Sequence, residues 1–305
     1  MLIFLWIKLQ LFSLLTISIF LEAFPFLLLG ALLAAVVEVY VSESFLAKYT
    51  PKNISLGFLY ALILGFIFPT CECGVVPVTK KLLQKKVPAH IALTYMMAAP
   101  VVNPVSIFAT IVAFRGNNSM VIGRLVIISL VAIFTSLQFS RQKTDSLLIK
   151  ERHPKHDHDC DCVQCRTGRG SRPAWQRIME NTGSDFYSTA SYLILGACAS
   201  AFFKTFLPQN FLSAFRYNGM IALVIMLVLA VLFSICSEAD AFVAASFSFF
   251  PKMAQLGFTT LGPVFDLKLL AMFLHTFKKK AVARLIFMTV ILNFIFCLMW
   301  GGIFK

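Results

Sequence analysis

Charge is what this chain has least of. Asp, Glu, Lys and Arg make up 13% of its 305 residues, about half the share in soluble domains. A chain so poor in charge cannot clothe a water-soluble surface of its size. Carboxylates are the scarcer sign, 14 Asp and Glu against 27 Lys and Arg. No Gly-x-x-x-x-Gly-Lys-Ser/Thr run occurs, so there is no phosphate loop with which the chain could drive itself by ATP. No serine and histidine stand together in the context of a hydrolytic triad, and the chain reads as something other than an enzyme. Hydrophilic sequence is confined to one long stretch, 140–184, with nine Lys or Arg. It is too short and polar to bury much core of its own.

What is abundant is apolar sequence. Hydrophobic residues are 59% of the chain and the mean hydropathy is +0.82. A helix needs about 20 apolar residues to cross some 30 Å of hydrocarbon. Eight segments meet or approach that length: Leu11–Val41, Leu56–Leu83, Ala89–Phe114, Met120–Phe139, Phe186–Leu207, Ile221–Phe250, Thr259–Phe277 and Ala281–Trp300. The expected fold is an all-α integral membrane protein of about eight transmembrane segments. The first apolar run continues well past Gly30 without a small-residue cleavage site, so it reads as a span and not a removable signal. The formal charge of +13 does not point to nucleic acid, because the basic residues lie between spans, where the positive-inside rule puts them on the cytoplasmic side.

The most informative feature interrupts the second segment. Gly57 to Thr70 carries no charge, and then Pro69-Thr-Cys-Glu-Cys-Gly74 brings two thiols and a carboxylate into the apolar run. A carboxylate at bilayer depth costs about 2.5–3.5 kcal/mol on insertion scales and is usually paired or faces a cavity. Pro69 lacks a backbone N–H and Gly74 tolerates unusual backbone angles, so the helix is expected to break there. Broken backbone survives at membrane depth where it is buried in protein or lines a wet cavity. Cys71 and Cys73 point about 200° apart on a regular helix and converge only if it unwinds. Two thiolates make a soft site. Alone, each cysteine would read as a small buried filler.

The pattern recurs. Gly30 precedes Cys71 by 41 residues and Gly196 precedes Cys236 by 40. Pro100-Val-Val-Asn103 has its counterpart in Pro263-Val-Phe-Asp266, and the four matched features are offset by 166, 165, 163 and 163 residues. The expected organisation is a first membrane repeat over 1–139, a cytoplasmic loop over 140–184 and a second repeat over 185–305. Interrupted segments at corresponding places in two halves point to a transporter's binding site. In the second half Cys236-Ser-Glu238-Ala-Asp240 places two carboxylates in one apolar run, where they share a proton or face a cation; the bland alternative is a short turn between spans. Asn103, between Pro100 and Pro104, and Asp266, after Pro263, can pair with backbone that proline frees or can bind a ligand. Glu22 and Glu38 in the first span are weaker candidates.

Two topologies compete. If every segment crosses, the halves are parallel, and a cytoplasmic N-terminus puts sixteen Lys/Arg inside and ten outside, Lys268 left aside. If each broken segment is a re-entrant hairpin, the halves are inverted, and an external N-terminus gives nineteen and seven. Charge favours hairpins. Lys80 and Lys81 weigh the other way, since a hairpin arm would hold them about 10 Å from its tip, and full crossings are the expectation adopted.

The loop carries its own cluster: His153, His156, His158, Cys160, Cys162 and Cys165 with three Asp among 13 residues. This is a metal-ligand composition, and Cys162-x-x-Cys165 has zinc-type spacing. A zinc or other soft-metal site there is the expectation, as sensor or delivery point; an unstructured loop that scavenges metal is the alternative.

The run Pro69-Thr-Cys-Glu-Cys-Gly-Val-Val-Pro77, followed by Ala99-Pro-Val-Val-Asn-Pro104, resembles the signature of a bacterial predicted-permease family that includes ArsP-like organoarsenical efflux permeases and YraQ-like proteins. The resemblance reaches the second half through Glu238, Asp240, Pro263 and Asp266. It implies a multi-pass inner-membrane permease of about eight helices and, for some members, export of thiol-seeking trivalent organoarsenicals. Carried onto this chain, it makes Cys71 and Cys73 candidate substrate thiols. The resulting expectation is secondary efflux of a soft solute, an organoarsenical or a soft metal species. Cys71, Cys73 and Cys236 would bind it, Glu72, Glu238 and Asp240 would neutralise charge or carry protons, and Asn103 and Asp266 would shape the pocket. The partners implied are the bilayer, a small solute or metal ion, and further subunits. A membrane thiol oxidoreductase and a metal-regulated membrane subunit are the rival readings.

Overall fold

A computed structural model describes residues 2–40, 50–51, 53–68, 70–140, 147–149, 174–206 and 219–303. Pro69 and the 153–165 cluster lie outside them. The described residues form twelve helices and no strand. The first half holds α1 (Leu2–Tyr40), α2 (Ile54–Ile67), α3 (Glu72–Gln84), α4 (Ala89–Val102), α5 (Pro104–Ala113) and α6 (Asn118–Leu137). The second holds α7 (Ala174–Phe206), α8 (Gly219–Phe233), α9 (Asp240–Ser246), α10 (Lys252–Leu261), α11 (Leu267–Thr276) and α12 (Lys279–Ile303). Each helix of the first half has its counterpart in order in the second, and the eight apolar segments of the sequence are all present. Three begin seven or more residues earlier than hydropathy suggests: the first at Leu2 and not Leu11, the fifth at Ala174 and not Phe186, and the seventh at Lys252 and not Thr259. In the fifth and seventh the first turns carry polar residues, and hydropathy registers only the apolar remainder.

Helix directions follow from which residues touch. A Cβ at Gly57 of α2 would meet His90 and Ile91 of α4, and one at Gly65 would meet Ala99. Eight residues up α2 match eight or nine up α4, so the two helices are parallel. α3 joins the end of α2 to the start of α4 and therefore runs antiparallel to both. The second half repeats this: Gly219 meets Met253, Gly257 meets Leu223 and Leu227, and Gly262 meets Ala230. α8 and α10 are parallel, and α9 leads back from the end of α8 toward the start of α10. Both broken segments are hairpins, so the expectation of full crossings does not hold.

The other broken segments continue in one direction. α5 follows α4 at a bend of 41°. Together they run antiparallel to α6, with Thr94 bonded to Ser136 at 2.6 Å and Thr110 bonded to Arg124 at 2.6 Å. α10 and α11 run antiparallel to α12 in the same way: Thr260 donates to Asn293 at 3.1 Å, and Met253 lies against Gly301. Six segments thus traverse the fold: α1, α4–α5, α6, α7, α10–α11 and α12. Three traverses per half leave the second half inverted. α1 and α7 are accordingly antiparallel: Lys8 donates to the carbonyl of Thr205, and Ile19 packs with Ala197 and Ala201.

The inverted arrangement also answers the objection from lysine. Lys81 lies on the returning arm α3, where its Nζ sits 2.8 Å from Glu38 and 3.2 Å from Asp185. Lys85 donates to the carbonyls of Val37 and Glu38 at 2.6 and 2.8 Å. The end of α1 and the first part of α7 supply these partners.

Small residues let helices cross closely, as membrane packing favours. A Cβ on Gly30 would fall 2.3 Å from Gly74 Cα, so α1 lies backbone to backbone on α3. A Cβ on Gly196 would fall 2.5 Å from Lys268 Cα, so α7 lies on α11. The repeated glycine is used in both halves, against a hairpin arm in one and a traversing helix in the other.

Candidate functional site

The hairpin tips enter from opposite faces and meet inside the fold. At the first tip the chain leaves α2 at Phe68, and Cys71 caps α3 in an extended conformation (φ −72°, ψ 170°). This departure from helix takes Cys71 off the regular helical offset from Cys73 at the start of α3. Both are buried. Thr70, just before them, is held by Tyr95 of α4 at 3.2 Å. At the second tip α8 ends in Ser234, a non-glycine residue at φ 47°. Such a left-handed residue costs about 1–2 kcal/mol. Its hydroxyl takes a 2.6 Å hydrogen bond from Ser200 of α7 and accepts the Leu267 N–H at 3.3 Å. Cys236 follows and donates to Glu22 of α1 at 2.7 Å, in the neighbourhood of Glu72 and Glu238.

Two buried ion pairs tie each tip to the opposite half. Lys268 Nζ of α11 donates to Glu72 Oε1 at 2.7 Å and stands 3.5 Å from Asp266 Oδ2. The side chains of Lys268 and Glu72 are 3% and 0% exposed. Arg124 of α6 reaches Asp240 of α9 at 2.8 and 2.9 Å, the carbonyl of Ser237 at 3.0 Å, and Thr110 at 2.6 Å. Ser106 of α5 donates to the same Ser237 carbonyl at 3.1 Å. First-half α3 is thus clasped to second-half α11, and second-half α9 to first-half α6. Of the two fates that the sequence allowed Asp240, facing a cation is the one realised. Burial of such pairs costs desolvation on both sides, so they are weak as net stabilisers and expensive to break singly.

Asn103 and Asp266 serve the backbone. Pro104 cannot donate to the carbonyl of Pro100, four residues earlier. Asn103 Nδ2 makes that bond instead at 2.9 Å, while its Oδ1 caps α5 on Ser106 N at 2.7 Å. Asp266 Oδ1 caps α11 on Leu269 N at 2.7 Å. Gly74 and Pro100 lie inside α3 and α4 and not at the breaks; Gly74 is the close contact for α1. Pro104 begins α5, and Pro263 lies in the turn between α10 and α11.

The structure therefore gathers Cys71, Glu72, Cys73, Cys236, Glu238, Asp240 and Asp266 around the two tips and turns Asn103 to capping. Sequence reasoning missed Lys268 and Arg124. The signal was there, since a lone cation in an apolar span needs a partner, but the partners lie 196 and 116 residues away. Among the described residues no three His, Cys, Asp or Glu side chains are arranged to hold a metal ion.

Two inverted halves, each with a hairpin whose tip meets the other inside the fold, form a multi-pass, all-helical membrane protein built as inverted-repeat transporters are. The chain belongs to the ArsP_1 family, described as predicted permeases, whose pattern matches residues 8–302. A Streptococcus mutans protein provisionally named a two-component membrane permease complex subunit is 34% identical over 93% of each chain. The Bacillus subtilis UPF0718 protein YcgR is 35% identical over 88% of this chain and 90% of its own. No solved structure matches. The protein is thus a multi-pass bacterial membrane protein of a predicted-permease family.

Proposed function

We propose that this permease exports a small thiol-seeking solute of the trivalent organoarsenical type, taken up between the two hairpin tips. The observation that carries the reading is the buried pair of thiols, Cys71 and Cys73, two residues apart at the unwound start of α3. Two adjacent thiols suit a neutral dihydroxy-arsenical with one organic group. Each thiol proton leaves with one hydroxide as water, and two As–S bonds replace two As–O bonds with no change of oxidation state. Cys236 at the facing tip offers a third sulfur for transfer toward the other side. An arsenical that needs two sulfurs fits this site better than an ion that needs a fuller ligand shell. The provisional name of the Streptococcus relative supports a second subunit working with this chain.

The test is accumulation of trivalent methylarsenic in everted membrane vesicles, where export appears as uptake. Vesicles with the wild-type chain should accumulate it, and those with Cys71→Ser or Cys73→Ser should not. Undiminished uptake in both variants would overturn the assignment of the site.

A further inference from the structure

We infer that Glu72, Lys268 and Asp266 form a binding site for one exchangeable proton, whose occupancy couples substrate movement to the proton gradient. The inference rests on the export reading above and adds the ion that drives it.

Charge count is the first argument. Two carboxylates share one ammonium, so the triad carries one uncompensated negative charge within the fold. A buried charge without a partner is costly, and binding one proton removes it. The second argument is bonding. Glu72 Oε2 and Asp266 Oδ2 are buried and take no hydrogen bond among the described residues, although both residues are 0% exposed. Asp266 Oδ1 is committed to Leu269 N and Glu72 Oε1 to Lys268. The two orphan oxygens are where a proton can sit and make a hydrogen bond.

The third argument is contrast with the other clasp. Arg124 keeps its proton at any working pH and meets both oxygens of Asp240. That pair has matched charge and no orphan carboxylate oxygen, so it reads as a permanent hinge.

The groups around Glu72 leave the assignment to the triad. Lys268 and Asp266 face it from α11, Cys71 flanks it on its own hairpin, and Cys236 comes from the second tip. Glu22 of α1 and Glu238 lie beyond Cys236, Glu22 accepting from its thiol at 2.7 Å, whereas Glu38 of α1 and Asp185 of α7 are at the far end of α3 on Lys81. From α4, Tyr95 is bonded to Thr70 and His90 lies against Gly57 and Phe58, toward the other end of the hairpin. With a proton on Glu72, Lys268 turns to Asp266 and the first tip is released from α11. When the proton leaves, Glu72 reclaims Lys268 and the tip is clasped again. One proton enters the cell as one solute leaves.

The experiment uses everted vesicles with the full chain, trivalent methylarsenic as probe, and an acid interior imposed by a jump in external pH. One-for-one exchange allows at most about a tenfold accumulation of a neutral solute per pH unit. Wild-type vesicles should approach this ratio and lose it when an ionophore collapses the gradient. Glu72→Gln leaves Lys268 paired with Asp266 alone, and Asp266→Asn leaves Lys268 paired with Glu72 and keeps an oxygen for the Leu269 cap. Both should carry methylarsenic only to an inside-to-outside ratio of one. Accumulation in the wild type that ignores the imposed gradient would overturn the proton site while leaving the export reading intact, as would either variant reaching the wild-type ratio. Absence of methylarsenic movement in wild-type vesicles under every gradient would instead sink the export reading.

Discussion

Replacing Arg124 by Met tests the inter-half clasp most directly. Arg124 is 2% exposed and makes four polar contacts, two to Asp240, one to the Ser237 carbonyl and one to Thr110. Met fills much of the same volume but leaves the Asp240 carboxylate, 0% exposed, without its cation. Removing one partner of a buried pair typically costs about 3–5 kcal/mol. At 1.4 kcal/mol per decade this lowers the folding equilibrium constant by roughly two to three and a half decades. Asp240→Asn should cost a similar amount, because it strands the guanidinium. The double variant Arg124→Met/Asp240→Asn buries no lone charge and should recover most of the loss. The assay is equilibrium unfolding of the four purified proteins in mixed detergent, read by helical signal and by protease resistance of the second hairpin. Independent sites add to within about 0.5 kcal/mol. If the two single losses simply add in the double variant, or if Arg124→Met costs under about 1 kcal/mol, the clasp contributes nothing specific and the reasoning fails.

Two further outcomes follow from the packing and the topology. Gly30→Ala should destabilise by about 1–3 kcal/mol through overpacking, because the added methyl would fall 2.3 Å from the Gly74 backbone, whereas Gly302→Ala, with nothing within 4 Å, should be near neutral in the same unfolding assay. Reporter fusions should place both termini on the external side and an insertion near residue 160 in the cytoplasm; a cytoplasmic C-terminus would contradict the hairpins.

Several of these features can be read before any coordinates are consulted. The repeat offsets from 163 to 166 already pair Gly30 with Gly196, Cys71 with Cys236 and Asn103 with Asp266, because two copies of one folding unit keep their breaks in register. The break before Glu72 was legible because thiols and a carboxylate cannot continue an apolar helix without reason. Its causes were less legible. Gly74 looks like a breaker and is a crossing point, because a residue without Cβ serves either purpose and only the neighbour, Gly30, distinguishes them. Asn103 looks like a pocket residue, yet the carbonyl that Pro104 orphans lies three residues away and claims it. Lys268 and Arg124 stand as lone cations in apolar segments, and nothing beside them in the sequence names Glu72 or Asp240 as a partner.

The order of apolar and interrupted segments was settled by composition and periodicity alone, because the cost of burying charge and unpaired backbone acts locally along the chain. The direction of each segment was not, since a hairpin and a crossing have the same hydropathy, and only the match of Gly57 and Gly65 with His90 and Ala99 separates them. The partners of the buried charges also waited for the tertiary structure. An ion pair is decided by distance in space, and no pattern in one chain says that residue 72 will meet residue 268.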